Sequence, residues 1–148
     1  MSEQDLIRLY SGRILELAAN IPRTGRLPVP DGTARRRSPL CGSTLSVDVV
    51  LRDGRVADFA QEVRACALGQ ASAAVLAQVV IGRNGAELRC ARDQLEAMLT
   101  AGGPVPDAPF QGYEVLIPAR DYRNRHASIL LALEATCAAV ETAEAAAG

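Results

Sequence analysis

The chain has 148 residues and a formal net charge of −1, and its sixteen basic residues are all arginine. The lack of lysine excludes Schiff-base and lysine-nucleophile chemistry. Near-neutral charge and only 3% aromatic residues argue against nucleic-acid binding. The polar start MSEQD is unlike a secretory signal, and no apolar stretch approaches a membrane span. We therefore expect one cytoplasmic domain over residues 1–148, without nucleic-acid or membrane partners.

The first predicted element is an amphipathic helix over residues 2–19, with Ser2 as its N-cap. Its apolar stripe consists of Leu6, Tyr10, Ile14 and Leu17. Prolines and glycines between residues 22 and 32 then predict an irregular segment. The arginine triplet at residues 35–37 is interpreted as a solvated edge strand, with a docking patch for an acidic partner as the alternative.

Residues 41–72 predict a β-hairpin followed by a helix, with a cysteine at each open end of the hairpin. Asp53-Gly54 is the turn signal. A three-residue loop with a G1 bulge pairs residue 51 with residue 55, so that Val47 faces Phe59 and the apolar side chains of both strands share one face. A two-residue loop is the alternative and separates the two apolar faces. In both registers Cys41 and Cys66 converge.

Cys66 opens a predicted helix over residues 67–81. A helix N-terminus favours the thiolate form of a cysteine through the helix dipole, and thiolate is the form that binds metals or attacks electrophiles. A reducing compartment also favours metal-binding or catalytic cysteines over disulfides. The alternative, in which each cysteine is a small buried apolar residue, stays open.

The remaining chain predicts two more helices. Asn84 and Glu87 cap the first, and Cys90 is expected to pack beside its stripe of Leu88, Ala91, Leu95 and Met98. A loop and a short apolar run at 113–117 precede the last helix, expected from about Arg125 to Ala143, with fraying over about 141–148. His126, the only histidine, falls in its first turn. Cys137 is three turns farther along and is interpreted as core.

The order of these motifs resembles a known family. They are N-x-P-R-x-G at residues 20–25, Cys-Gly at 41–42, Cys-x-x-x-x-Ala-Ser at 66–72 and Arg-His-x-Ser at 125–128. The pattern is similar to that of the U-type iron–sulfur cluster assembly scaffolds IscU, SufU and the N-terminal domain of NifU. The resemblance implies an α+β fold with a small antiparallel sheet of about three strands packed against helices. It also implies that the segment at about 82–118 is a helical insertion like that of SufU.

The resemblance also implies a ligand set, which this chain carries only in part. Family members hold zinc or a nascent cluster with three cysteines and an aspartate. The first two cysteines correspond to Cys41 and Cys66, whereas Ser43 occupies the aspartate position and Ala127 that of the third cysteine. The histidine before that cysteine is present as His126. Cys41, Cys66 and His126 are therefore the predicted ligands for Zn²⁺, Fe²⁺ or a transient iron–sulfur cluster, with an open fourth position.

The implied function is a non-enzymatic scaffold that receives sulfur from a cysteine desulfurase and passes clusters to recipient apo-proteins. Two alternatives follow from the replaced ligands. One is a binding module that regulates the desulfurase without carrying a cluster. The other is a SufU-like, zinc-dependent sulfur acceptor of the sulfurtransferase type, in which Cys66 is the nucleophile.

Overall fold

The computed structural model describes residue 4, residues 9–39 and residues 42–147, so the predictions for Ser2, Leu6 and Cys41 lie outside the described residues. The architecture is α+β, as predicted. In this part of the chain, no helix has the length and apolar character needed to cross a membrane. The elements in chain order are α1 (Gly12–Ala19), β1 (Gly32–Arg37), β2 (Thr44–Arg52), β3 (Arg55–Arg64), α2 (Ala67–Val79), α3 (Gly85–Thr100), a 3-10 helix (Phe110–Asp121) and α4 (Arg123–Ala147).

The N-terminal region is not the single helix predicted over residues 2–19. Leu9 is helical, but Tyr10 and Ser11 leave the helical conformation. Ser11 instead caps α1, because its hydroxyl accepts a hydrogen bond from the backbone N–H of Ile14 at 3.3 Å. Ile14 and Leu17 are buried, as the apolar stripe predicted. Apolar periodicity alone predicted one continuous helix, but the capping serine Ser11 starts a new helix within that pattern.

The sheet is antiparallel with the strand order β1-β2-β3. The arginine triplet lies on β1, which is an edge strand, as predicted. Helix α4 packs across β1 and β2 and against α2 and α3, which makes it the central element of the core. It begins and ends beyond the predicted Arg125–Ala143. Gly32 lies so close to α4 that a Cβ there would be 2.8 Å from the backbone nitrogen of Ala143.

The predicted hairpin register is wrong at the turn. Asp53 and Gly54 both have positive φ, at 54° and 74°, and form a two-residue turn in which Arg52 pairs with Arg55. A bulge at Ala57 then shifts the register, so that Val49 pairs with Phe59. The bulge returns the apolar side chains of both strands to one face. The sequence pattern predicted this shared face, but from a three-residue loop instead of a two-residue turn with a later bulge.

Helix α3 has the predicted capping box of Asn84 and Glu87 and the predicted buried stripe. Cys90, however, is exposed rather than packed. The apolar run at 113–117 belongs to the 3-10 helix, which continues through Pro118 and buries Tyr113. Arg120 fixes this helix to the end of α3, since its guanidinium donates to the carbonyl oxygens of Met98 at 2.7 Å and Gly103 at 2.8 Å.

Asp48 ties the irregular segment before β1 to the sheet. Its buried carboxylate accepts hydrogen bonds from Arg26 Nε at 2.7 Å, from the Leu27 N–H at 3.0 Å and from the Thr33 hydroxyl at 2.6 Å. We expect Asp48→Ala to lower the free energy of unfolding by about 2–4 kcal/mol, because three donors lose their acceptor. Urea denaturation measures this loss. The control Asp58→Ala removes an exposed carboxylate and should cost less than about 1 kcal/mol.

The same contribution should depend on pH. Burial raises the pKa of Asp48, but the hydrogen bonds from Arg26, Thr33 and Leu27 and the charge of Arg26 outweigh it, so the net pKa lies below the usual value. A lowered folded-state pKa stabilises the fold above about pH 4 and loses that effect as pH falls through the folded value. The stability difference between wild type and Asp48→Ala should therefore shrink below about pH 4. A difference independent of pH would contradict this assignment.

Candidate functional site

Cys66 lies between β3 and α2, where the predicted helix begins. It is the N-cap of α2, with an extended backbone at φ −66° and ψ 168°, and its side chain makes no capping hydrogen bond. Its thiol is free and partly exposed. The residue is partly packed against the core and lies at the end of a helix whose first N–H groups favour negative charge.

Two buried serines lie beside Cys66. The Cys66 sulfur is 3.5 Å from Ser128 Oγ, and Ser128 Oγ is 3.1 Å from Ser43 Oγ. Ser43 precedes β2 and Ser128 belongs to the first turns of α4, so three separate elements meet at this point. Ser43, at the position that the resemblance assigns to an aspartate, is thus one side chain away from Cys66. The sequence reasoning missed Ser128, although it is the last residue of the Arg-His-x-Ser motif.

Close packing of α2 on α4 fixes this arrangement. A Cβ at Gly69 would lie 2.6 Å from Ser128 Oγ and 2.8 Å from the Cβ of Ala65, so only glycine leaves room for Ser128 there. One turn along, the Ser72 hydroxyl donates to the Ile129 carbonyl oxygen at 2.6 Å. These contacts hold the second turn of α4 against α2 and leave Ser128 directed at the thiol.

His126 is also buried, and its ring contacts the 3-10 helix. Its Nε2 lies 2.9 Å from the carbonyl oxygen of Ala119, in the 3-10 helix. A carbonyl can only accept, so Nε2 is the donor, and Nδ1 is the nitrogen that a neutral ring leaves for a metal. The ring borders a cavity of about 830 Å³. The other residues that line this cavity are Leu99, Thr100, Gly102, Arg120, Asp121 and Arg123.

The structure therefore brings Cys66 to Ser43 and Ser128, and His126 to the 3-10 helix. Among the described residues, no three His, Cys, Asp or Glu side chains form a group that could hold a metal ion. Cys41 lies outside those residues, so the set of Cys41, Cys66 and His126 stays a prediction. Ala127, at the third-cysteine position, is partly buried between His126 and Ser128 and offers no donor atom.

The other two described cysteines lie away from this site. Cys137 is buried in α4, and burial raises its pKa to about 11, which keeps the thiol protonated at neutral pH. The prediction that Cys137 is a core residue is confirmed. Cys90 borders a groove of about 320 Å³ between α3 and the 3-10 helix, together with Phe110 and Gln94.

Solved structures identify the fold. This chain is 47% identical to a nitrogen-fixing NifU-like protein (N-terminal) from Brucella abortus, covering 95% of this chain and 98% of that chain, with a TM-score of 0.92. A putative iron–sulfur cluster assembly scaffold protein for the SUF system, from Fervidobacterium islandicum, is 19% identical over 90% of this chain and 98% of its own, with a TM-score of 0.80. A hypothetical protein is 20% identical over 91% and 98%, with a TM-score of 0.78.

The last two likenesses concern the fold alone, because their sequence identity is low. No family model matches this chain, and no curated protein matches it. The likeness to the Brucella protein covers nearly the whole of both chains at high identity. By that likeness, and with Cys66 at the start of α2, the chain belongs to the U-type iron–sulfur cluster assembly scaffold family as a NifU-like member.

Proposed function

We propose that this protein acts in cytoplasmic iron–sulfur cluster assembly, where it receives sulfur on Cys66 from a cysteine desulfurase and holds metal or a transient cluster. The observation that carries the proposal is a free, partly exposed Cys66 at a helix N-terminus in a NifU-like chain. Clusters would then pass to recipient apo-proteins. The role is that of a stoichiometric carrier and not of an enzyme with its own turnover.

The sulfur step needs only the Cys66 thiolate on this chain. The thiolate attacks the outer sulfur of a persulfide on the desulfurase cysteine, and a new S–S bond forms on Cys66. The S–S bond of the donor breaks, and its electron pair leaves with the desulfurase thiolate. No external oxidant is required, since the sulfane sulfur only changes carrier. The Ser128 hydroxyl, 3.5 Å from the sulfur, can donate a hydrogen bond to the attacking thiolate.

The proposed donors for metal are Cys41, Cys66 and His126. Ser43 offers only a neutral hydroxyl that already contacts Ser128, and Ala127 offers nothing. Zinc accepts three protein ligands and an exchangeable fourth, whereas iron–sulfur clusters usually have four protein ligands. A three-donor set would therefore hold its metal or cluster transiently. The fourth ligand would come from a partner, a second protomer or a small thiol. Zinc in the same set would give the SufU-like acceptor.

Protein purified without oxygen and incubated with desulfurase and cysteine tests the proposal. Intact-protein and peptide mass spectrometry should find one additional sulfur atom, located on Cys66. Metal and acid-labile sulfide analysis after reconstitution should find zinc, or iron and sulfide amounting to less than one full cluster per chain. Wild-type protein that never acquires sulfur in the presence of active desulfurase would overturn the sulfur-acceptor role.

A second candidate function is a docking module that regulates the desulfurase without carrying a cluster. The observation that favours it is the buried Ser43–Ser128 hydroxyl pair, at 3.1 Å, in place of a ligand carboxylate. This module would change desulfurase turnover even with Cys66→Ala, whereas a sulfur acceptor would lose its effect. Desulfurase assays with the two proteins separate the candidates.

A further inference from the structure

Three arginines occupy one face of the sheet. In the β1-β2-β3 register, Arg37 lies opposite Thr44, which lies opposite Arg64, and Arg35 lies opposite Ser46 in the next row of that face. Opposed residues share a face, as do residues two apart along a strand, so all three side chains project from the same side. Val47 and Leu45 are buried on the opposite side, beneath α4. We call Arg35, Arg37 and Arg64 the arginine face.

The arginine face is exposed and has one acidic neighbour, Glu62, which lies opposite Ser46 in the same row as Arg35. All three arginines are exposed, and none takes part in an ion pair within the described chain. The neighbouring Glu62 faces Arg26 at 3.6 Å. A depression of about 240 Å³ runs between Arg35 and Arg64. Thr44, Ser46 and Glu62 also line it, which adds two hydroxyl groups and one carboxylate to the guanidinium donors.

In the covered part of the same face, an acidic side chain already binds an arginine. Two positions from Ser46 along β2, the buried Asp48 carboxylate binds Arg26 of the preceding segment through two hydrogen bonds, at 2.7 and 3.1 Å. That segment therefore closes the Asp48 end of the face. The end near Thr44 stays open, with three arginines and two hydroxyls beside the single carboxylate of Glu62, which is 3.6 Å from Arg26. An incoming carboxylate would offset the excess positive charge of the three arginines at this end.

The arginine face borders the sulfur site. Arg64 ends β3 two positions before Cys66, and Ser43, which contacts Ser128, directly precedes β2. The backbone also folds back here, since the Ser38 N–H donates to the Ser43 carbonyl oxygen at 2.8 Å. A protein bound to this face would consequently lie next to the Cys66 thiol.

We infer that the arginine face is the docking surface for an acidic segment of the sulfur-donating cysteine desulfurase, which inserts carboxylates between Arg35, Arg37 and Arg64. This inference rests on the proposed function, because it assigns the partner of the same thiol. Charge complementarity is the argument for an acidic polypeptide. Nucleic acid is the less suitable ligand, since none of the residues of this patch is aromatic and the chain as a whole has a net charge of −1.

The test compares wild type with the triple variant Arg35→Ala, Arg37→Ala and Arg64→Ala. Arg52→Ala is the matched control, because Arg52 is an exposed arginine at the turn end of β2, without an ion pair among the described residues. Biolayer interferometry with the desulfurase of the source organism should show binding weakened on the order of 10- to 100-fold for the triple variant, and unchanged for the control. Wild-type binding should weaken with added salt more steeply than that of the triple variant.

Sulfur transfer separates this inference from the proposed function. With glutathione persulfide as a small donor, wild type and triple variant should acquire sulfur on Cys66 equally, because this donor needs no docking surface. With the desulfurase, only the triple variant should be impaired. Equal desulfurase binding by both proteins would overturn the docking surface while leaving Cys66 as acceptor. Failure of wild type to accept sulfur from either donor would overturn the proposed function, and the binding data alone would then decide the docking surface.

A labelled single-stranded oligonucleotide provides the remaining comparison. If it binds wild type more tightly than the desulfurase does, and the triple variant loses that binding, the face is a nucleic-acid site and the polypeptide assignment is wrong. Circular dichroism of the triple variant should match wild type, since the three substitutions remove exposed side chains without described ion pairs.

Discussion

Cys66→Ser protein should acquire no sulfur from a cysteine desulfurase, a loss of more than about 100-fold in the yield of persulfide, since an unassisted serine hydroxyl is a poor nucleophile at neutral pH. Serine replaces a partly exposed side chain that makes no capping hydrogen bond. The fold should therefore change little in stability. Mass spectrometry of the sulfurated protein measures the yield, and urea denaturation checks the fold.

The matched controls are the other two described thiols. Cys90→Ser removes an exposed thiol from α3, and Cys137→Ala removes a buried one whose pKa is raised to about 11 by burial. Neither should change sulfur acceptance, although Cys137→Ala should cost about 1 kcal/mol of stability through lost packing. If Cys90→Ser removed as much sulfur as Cys66→Ser, the acceptor would lie on α3 and the proposed site at Cys66 would be wrong.

Local chemistry predicted the features of the fold that depend on neighbours in sequence. Asn84 and Glu87 form their capping box within four residues, and Asp53-Gly54 marks the position of the turn, although the predicted three-residue loop is a two-residue turn. The bulge at Ala57 could not be predicted, because it satisfies the burial of Phe59 against elements distant in sequence. Periodicity also placed Cys90 one step from the stripe of α3, but which flank of a helix is covered depends on its neighbours in space.

The same distinction between local features and long-range contacts applies to the candidate site. The position of Cys66 at a helix start follows from the local pattern of strand and helix, and the structure has it there. Its contact with Ser128 spans 62 positions and depends on Gly69, whose missing side chain lets α4 approach α2. The orientation of His126 depends on the carbonyl of Ala119 in a 3-10 helix that the apolar run at 113–117 did not reveal. Sequence therefore placed Cys66 and His126 at helix starts but did not predict the contacts that orient them.

Introducing the ligand types that the resemblance assigns to these positions, with Ser43→Asp and Ala127→Cys, should raise zinc affinity by at least about 100-fold. Ser43 Oγ lies 3.1 Å from the hydroxyl that contacts Cys66, so an aspartate there supplies a charged oxygen beside the thiol. A cysteine at position 127 adds a fourth donor next to His126. Competition with a chromophoric zinc chelator measures the affinity, and labile sulfide after anaerobic reconstitution measures cluster capacity.

The metal-free double variant should be less stable than wild type by about 1–3 kcal/mol, because Ser43 is 4% exposed and a carboxylate there is buried without a counter-charge. Zinc should reverse this loss, since metal that binds only the folded chain stabilises it. The same two substitutions in a Cys66→Ser background are the control and should gain much less affinity. An equal gain there would mean that the new donors bind zinc without Cys66. Wild type that already holds a complete cluster would mean that the donors at positions 43 and 127 are dispensable, and that Cys41, Cys66 and His126 suffice with an external fourth ligand.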